Sequence, residues 1–507
     1  MSGTVVDALT FWARTQPDLA AIDFAGDVVT YAELDAWADG VAHDLLARGV
    51  GSGDRVSLLG ANSLEWCAAA LGAFKVGAIV APFNQRMMPA ELTVLVEDCE
   101  PSVVFCDATL RDRLDEVRSA RPGFSVAVFE TDVRPLRGVT HDPIPAPVVD
   151  LADPTAIIFT SGTTGRPKGV IFTHATIAGE MHDWALVEGI LPNNLRPLLV
   201  LPLFTAAGII WGISRTILHG GTLFLQSGFD PAAALRVLVY DKANTLTGPP
   251  ILFEQIATVP GFDDADLSHL TTAHVGGARV PVDLLHKWAP RGVALRQIYG
   301  QTEIGGSATA TPRDEAATNP DKCGWGTIFT KLRVVDPDGN DCLPNEPGEI
   351  LLRGPGMMPG YWRNEDATRS ALRDGWLHTG DLGKLDEDGY LTFVDRMKDM
   401  IISGGLNISP AEIEAVINAI PGVEEVAVIS VPDEKFGETP AALVRAAEDV
   451  SESDVIAHCN GLLADYKVPR YVVLCAEPLP RMASGKIAKK DLRDEYADIP
   501  DRYARVR

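Results

Sequence analysis

Apolar residues along the chain fall alternately at helical spacing and in short strand-like runs. In the first 150 residues, Tyr31-Ala32-Glu33-Leu34 opens a helical stretch to about Ala47. Arg55-Val56-Ser57-Leu58-Leu59-Gly60 reads as a strand and is followed by a helix through Ala68–Phe74. Val76-Gly77-Ala78-Ile79-Val80-Ala81 reads as a second strand, stopped by Pro82. This alternation predicts a parallel sheet with covering helices. The apolar run Ala156-Ile157-Ile158-Phe159 reads as a buried strand and introduces a second alternating block. Its strands are expected at Leu198–Leu203, Thr245–Leu246, Thr271–Val275 and Leu295–Ile298, with helices at Pro231–Tyr240 and Pro281–Trp288 between them.

From about Thr327 to Val394 the pattern changes. Short β-like runs (Leu332–Val335, Glu349–Leu352, Tyr390–Val394) are separated by the turns Asp338-Gly339 and Asp388-Gly389, which predicts a small β-rich subdomain. A boundary is expected near Asp395–Asp399, giving domains 1–395 and 396–507. The second opens with a helix capped by Ser409, with Pro410 at its first position and Glu412 expected to complete a capping box. Ile413, Val416, Ile417 and Ile420 supply one apolar face. Val426–Val431 and Ala441–Val444 read as strands, and Ser453 precedes another amphipathic helix. The fold class is α/β: a large N-terminal domain of two α/β subdomains plus the β-rich one, then a small α+β domain.

Length and charge narrow the function. A chain of 507 residues allows two or more domains and a large core. The formal net charge of −25 argues against nucleic-acid partners and anionic membranes, so a polyanionic ligand requires a locally basic site. The seven cysteines form no C-x-x-C pair, as expected of free thiols in a reducing compartment. The start, Met1-Ser2-Gly3-Thr4 with Asp7 soon after, has neither the basic region nor the apolar core of a secretory signal. No apolar run approaches the ~20 residues that span a bilayer. A cytoplasmic protein without integral membrane association is expected.

The densest chemistry lies in Thr160-Ser161-Gly162-Thr163-Thr164-Gly165-Arg166-Pro167-Lys168-Gly169. Glycines let backbone N–H groups approach an anion, hydroxyls donate hydrogen bonds, and Arg166 and Lys168 supply charge. Gly169 after Lys168 and the glycine spacing exclude a Walker A loop. A decamer of this composition in arbitrary order would be an exposed flexible loop. This order resembles the phosphate loop of the acyl-adenylate-forming enzymes (acyl-CoA synthetases, adenylation domains and firefly-type luciferases).

Four further motifs carry the resemblance in register across nearly the whole chain. They are Tyr299-Gly300-Gln301-Thr302-Glu303 after a strand, His378-Thr379-Gly380-Asp381-Leu382-Gly383, the junction Asp395–Ile408, and Pro480-Arg481-Met482-Ala483-Ser484-Gly485-Lys486-Ile487. The resemblance implies that Thr302 contacts the α-phosphate, Glu303 binds Mg²⁺ and Tyr299 stacks on adenine. Gly276-Gly277-Ala278 would line the adenine and acyl pockets, and Asp381, assisted by Arg396, would hold the ribose. Lys398 becomes the hinge of a mobile C-terminal domain, Gly404, Gly405 and Leu406 the pantetheine tunnel, and Lys486 the catalytic lysine. Leu406 stands where the family commonly has Glu, and Ser409 where it commonly has Tyr, which makes the thiol-binding face less defined.

The acyl pocket is expected at Phe204, Thr205, Gly208, Trp211, Gly276, Gly300 and Gly305. Thr205 stands where the family usually has His, and Ala206-Ala207-Gly208 follow it. Small side chains leave volume for a bulky aliphatic, alicyclic, polycyclic or aromatic acid, unless Trp211, Phe204 or a nearby loop fills it. The implied function is an ATP-dependent carboxylic acid–CoA ligase using ATP, Mg²⁺ and coenzyme A. The alternatives are an adenylating enzyme that hands its acyl group to a carrier or partner protein, and a silent nucleotide-binding homologue. A luciferase-like oxidation has no separate support, and a homodimer is left open.

Overall fold

The computed structural model describes residues 3–145, 147–160, 166–277, 280–403, 406–447, 450–482 and 486–506. By Cα packing the chain forms two compact units, Met1–Leu332 with Leu352–His378, and Arg333–Leu351 with Thr379–Arg507. The division expected at 395 falls inside the second unit. Asp395 explains the placement locally: it accepts hydrogen bonds from the Ser409 hydroxyl at 2.6 Å and the Ala411 N–H at 2.9 Å, tying its strand to the helix that follows the junction.

The first unit contains two sheets. One has six strands in the order Ser125–Val128, Val103–Cys106, Arg55–Leu59, Ile79–Val80, Pro154–Thr160 and Lys168–Thr173. Its strands pair in parallel except for the last two, which form an antiparallel hairpin with Thr160 opposite Lys168. The other has nine strands, and its central run from Leu295–Tyr299 through Thr272–Val275, Thr245–Gly248, Pro197–Leu199 and Leu223–Leu225 to Ala20–Phe24 is parallel. Asn62 ties the two sheets together: its amide donates to Leu201 O and Gln226 O, and its carbonyl accepts from Leu203 N.

The expected helix runs Tyr31–Ala47, with Thr30 and Glu33 closing a reciprocal capping box at its start. The strand expected from Val76 shrinks to Ile79–Val80, because Val76 caps the preceding helix and Gly77 turns at φ +73°. Leu198–Leu203 shrinks to Pro197–Leu199.

In the second unit, Val423–Asp433 and Gly437–Ala446 pair as a long hairpin, and Gly437–Ala446 also pairs in parallel with Tyr471–Leu474 and, at Gly437, with Ser403 of Ile401–Ser403, which in turn pairs with Leu406–Ile408. The helix Pro410–Asn418 packs Ile413 and Ile417 into this sheet. Ser409 caps it by accepting from Glu412 N, but the expected capping box does not form. Glu412 instead takes the Lys467 ammonium at 2.7 Å, while the Ser409 hydroxyl proton goes to Asp395. The next helix begins at Glu452 and is capped by Ser451, two residues before the expected Ser453.

Candidate active site

Parallel strands deliver their carboxyl ends to one edge of a sheet, where α/β proteins bind ligands. Thr272–Val275 ends at Gly276-Gly277, and its neighbour Leu295–Tyr299 ends at Gly300-Gln301-Thr302-Glu303. The packing there requires glycine. A Cβ on Gly276 would lie 2.6 Å from the Ile298 side chain, and one on Gly300 would lie 2.5 Å from Gly306 O. Thr302–Ile304 forms a single 3₁₀ turn, closed by Gly305 and Gly306 at φ +95° and +116°. Tyr299 and Glu303 are buried at this edge.

Tyr361 orients the Glu303 carboxylate: its hydroxyl donates to Glu303 Oε1 at 2.9 Å, and Met358 N donates to Glu303 O at 2.9 Å. Burial and the adjacent carboxylate push the Tyr361 hydroxyl far above its ordinary range, so it remains a donor. The same ring lies 5.1 Å below the Lys168 ammonium. Tyr361 therefore touches both the Lys168 ammonium and the Glu303 carboxylate. Sequence reasoning missed it, since a tyrosine in Pro359-Gly360-Tyr361-Trp362 has no periodicity or motif of its own.

The segment expected to bind phosphate connects two antiparallel strands, Pro154–Thr160 and Lys168–Thr173, whereas a Walker A loop leads from a strand into a helix. Ser161, Gly162, Thr163, Thr164 and Gly165 lie outside the described residues, as do Ala278, Gly404 and Gly405. Thr160 and Lys168 form the hairpin's base, with Thr160 Oγ1 donating to Lys168 O at 3.4 Å. The Arg166 guanidinium pairs with Asp98 at the surface.

The acyl-pocket residues divide by role. Thr205 caps a helix, donating to Pro202 O at 2.8 Å and accepting from Gly208 N at 3.3 Å. Gly208 leaves no pocket volume, because a Cβ there would lie 2.3 Å from Leu203 Cα. Trp211 is buried and donates to Gly305 O at 2.7 Å, under the turn that follows Glu303. Phe204 stays partly exposed.

The second unit gathers its own set. Asp381 and Arg396 are cross-strand partners, with Arg396 Nε 3.7 Å from Asp381 Oδ1. Gly380 sits at φ +69°, and the Thr379 hydroxyl accepts from Asp381 N at 3.1 Å. The Lys486 carbonyl accepts from Met482 N at 2.7 Å. Burial lowers the Lys486 ammonium below the usual lysine range; Arg396 adds to this and Asp381 opposes it. Lys486, Arg396 and Asp381 thus form one electrostatic group. Lys398 and Leu406 are exposed on the junction between the strands.

A divalent cation requires a suitable donor set. Among the described residues no three His, Cys, Asp or Glu side chains cluster to cage a metal. A single oriented carboxylate, completed by substrate phosphate oxygens and water, suits Mg²⁺, and Glu303 beside the Lys168 hairpin fits that pattern. Among the described residues no helix is long and apolar enough to cross a membrane.

Known proteins place this geometry. Residues 9–362 match the AMP-binding enzyme family and residues 412–486 match the AMP-binding enzyme C-terminal domain. Feruloyl-CoA synthase of Amycolatopsis sp is 37% identical over 486 residues, covering 96% of this chain and 97% of that protein. Long-chain-fatty-acid–CoA ligase FadD13 of Mycobacterium tuberculosis is 36% identical over 498 residues, covering 96% and 98%. The solved structure of an ATP-bound RpMatB-BxBclM chimera is 32% identical and superposes with a TM-score of 0.90 over 98% of this chain and 100% of that one. With motifs, fold and similarity in agreement, the chain belongs to the AMP-binding enzyme family.

Proposed function

We propose that the protein is an AMP-forming acid–CoA ligase that activates a bulky, largely apolar carboxylic acid. The observation that carries the reading is the grouping of Lys486 with Asp381 and Arg396 in the second unit, which puts a partly desolvated ammonium within electrostatic reach of the expected ribose-binding pair. Similarity to CoA ligases for an aromatic acid and for fatty acids, along 96% of the chain in each case, supports the choice of acid class and of CoA as acceptor.

In the first half-reaction a carboxylate oxygen of the acid attacks the α-phosphorus of ATP. The bond to the bridging oxygen breaks and pyrophosphate leaves. Lys168 and the hydroxyls around Thr160 draw the phosphates into the hairpin, and Thr302 orients the α-phosphate. Glu303, held by Tyr361, would take Mg²⁺, which supplies charge neutralisation to the phosphate oxygens. Lys486 donates hydrogen bonds to the reacting oxygens as negative charge spreads over them.

In the second half-reaction the CoA sulfur attacks the acyl carbonyl and AMP departs with the electron pair of the broken C–O bond. Lys398 as pivot lets the C-terminal domain, residues 396–507, exchange Lys486 for the Gly404-Gly405-Leu406 face between the two steps. A cytoplasmic setting, where ATP and CoA are both supplied, follows from the same reading.

The test is Lys486→Ala, assayed by acid-dependent ATP–pyrophosphate exchange and separately by thioester formation from preformed acyl-adenylate. We expect the first to fall by about 10²–10³ and the second to persist. Equal adenylation by the variant overturns the assignment. AMP formation that never depends on CoA with any acid would favour transfer to a carrier protein instead.

A further inference from the structure

The helix beneath the Glu303 turn contains a charged group that the proposed mechanism does not use. Between Ala206 and His219 the helix is interrupted by a π-turn over Ile209–Ser214, in which the Ser214 hydroxyl donates to Ile209 O at 2.9 Å. Single π-turns inside helices concentrate at functional sites. Here the Arg215 guanidinium lies over the Trp211 indole, 5.1 Å from its centroid. The indole Nε1 reaches Gly305 O, and a Cβ on Gly306 would approach that nitrogen to 2.6 Å. One indole therefore separates Arg215 from the turn that carries Thr302 and Glu303.

Arg215 is 1% exposed, yet its Nε and Nη2 have no hydrogen-bond acceptor among the described residues. Two neighbours, Glu180 and His219, are also buried and polar. Glu180 is fully buried; its Oε1 accepts from Trp184 Nε1 at 3.0 Å, and the Gly356 backbone N–H also bonds its carboxylate. His219 directs Nδ1 at Arg215 O, 2.8 Å away, and its Nε2 is unmatched. A Cβ on Gly305 would come within 3.0 Å of the Glu180 side chain, which places this group against the same active-site turn. Buried polar atoms are normally satisfied, and a buried cation without a hydrogen bond is costly. Burial lowers Arg215 only to about 10 and holds Glu180 well above the usual carboxylate range. At neutral pH Arg215 is therefore charged and offers guanidinium N–H groups as donors, while neutral His219, with Nδ1–H on Arg215 O, presents Nε2 as an acceptor.

We infer that Arg215, with Glu180 and His219 near it, forms a polar far end to the acyl site and selects acids carrying a hydrogen-bond-accepting oxygen, such as a ketone, remote from the reacting carboxylate. The inference rests on the acid–CoA ligase reading and deepens it. The body of the acid remains apolar, against Trp211 and the glycine turns, and one distal oxygen satisfies donors that the protein leaves unmatched.

The experiment compares acids matched in carbon skeleton, ring and open-chain, each as the distal ketone and as its methylene counterpart. AMP release is measured for the wild type, Arg215→Met and Arg215→Lys. A site built to hydrogen-bond a substrate oxygen penalises the analogue that lacks it, so the wild type should favour the ketone of the best-accepted pair by roughly tenfold or more in kcat/KM. That ratio should collapse toward one in Arg215→Met and fall between in Arg215→Lys, while ATP affinity measured without acid is unchanged. Equal use of ketone and methylene by the wild type overturns the inference and leaves the ligase reading standing. So does an equal loss on both acids in Arg215→Met, which would mark Arg215 as a purely structural group. Absence of acid-dependent AMP release from the wild type across the whole panel would instead overturn the ligase reading itself. Should Arg215→Met fail to fold, the wild-type ratio and Arg215→Lys still decide.

Discussion

Tyr361→Phe isolates one hydrogen bond and leaves the packing almost untouched. The variant keeps the ring, and therefore the Lys168 contact at 5.1 Å, and deletes only the hydroxyl that donates to Glu303 at 2.9 Å. A hydrogen bond to a charged group is worth about 1.5–3 kcal/mol. Glu303 is buried and bears the charge the mechanism requires, so the loss should appear as misplacement of that carboxylate. Converted to rate, the expected fall in kcat/KM for adenylation is roughly ten- to a hundredfold. The assay is acid-dependent ATP–pyrophosphate exchange over a range of Mg²⁺, alongside equilibrium binding of ATP with and without Mg²⁺. Because Tyr361 acts through Glu303, Tyr361→Phe should weaken ATP binding only when Mg²⁺ is present. Added to Glu303→Ala, it should cost little more. Tyr361→Leu removes the ring as well and should add a Mg²⁺-independent loss through Lys168. If Tyr361→Phe lies within twofold of the wild type, or its effect adds in full to that of Glu303→Ala, the positioning role is wrong.

Two other predictions concern stability. Ser409→Ala removes a helix cap and the 2.6 Å donor to buried Asp395, so unfolding free energy should drop by about 1–2 kcal/mol in urea, and Asp395→Ala, which loses three donors, should drop further; an unchanged midpoint for Ser409→Ala would show the contact to be idle. His219 is drawn down by burial to about 4 from 6.5, with the Arg215 and His182 charges acting in the same direction. The folded state thus resists a proton that the unfolded chain accepts below about pH 6.5, so the stability is intact above that pH and is lost as pH falls toward 4, in all by about 3 kcal/mol. Buried His174 and His274 shift in the same direction and steepen the slope. Denaturant titrations between pH 7 and 4 should show His219→Asn with a flatter dependence than the wild type, and identical slopes would refute the assignment.

What the sequence revealed was mostly local. The helix expected from Tyr31 to about Ala47 forms as Tyr31–Ala47, and the strands expected at Thr271–Val275 and Leu295–Ile298 form as Thr272–Val275 and Leu295–Tyr299, each stopping at glycine. Both could be read because their causes are neighbours in the chain. The misread features depend on partners far away in sequence. Glu412 was expected to close its own helix cap, yet Lys467, 55 residues on, takes its carboxylate. Tyr361 reaches Glu303 across 58 residues.

The acyl site carries this furthest. By composition, Thr205, Ala206, Ala207 and Gly208 read as small side chains leaving space, but composition cannot say what occupies that space. The structure gives Thr205 to a helix cap and uses the missing side chain of Gly208 for a backbone approach. That tight first turn fixes the start of the helix, and the π-turn that follows sets Trp211 under Gly305 with Arg215 behind it. The small residues therefore act through packing: they bring the helix close enough to hold buried Trp211 on Gly305 O, with the Arg215 guanidinium over its indole.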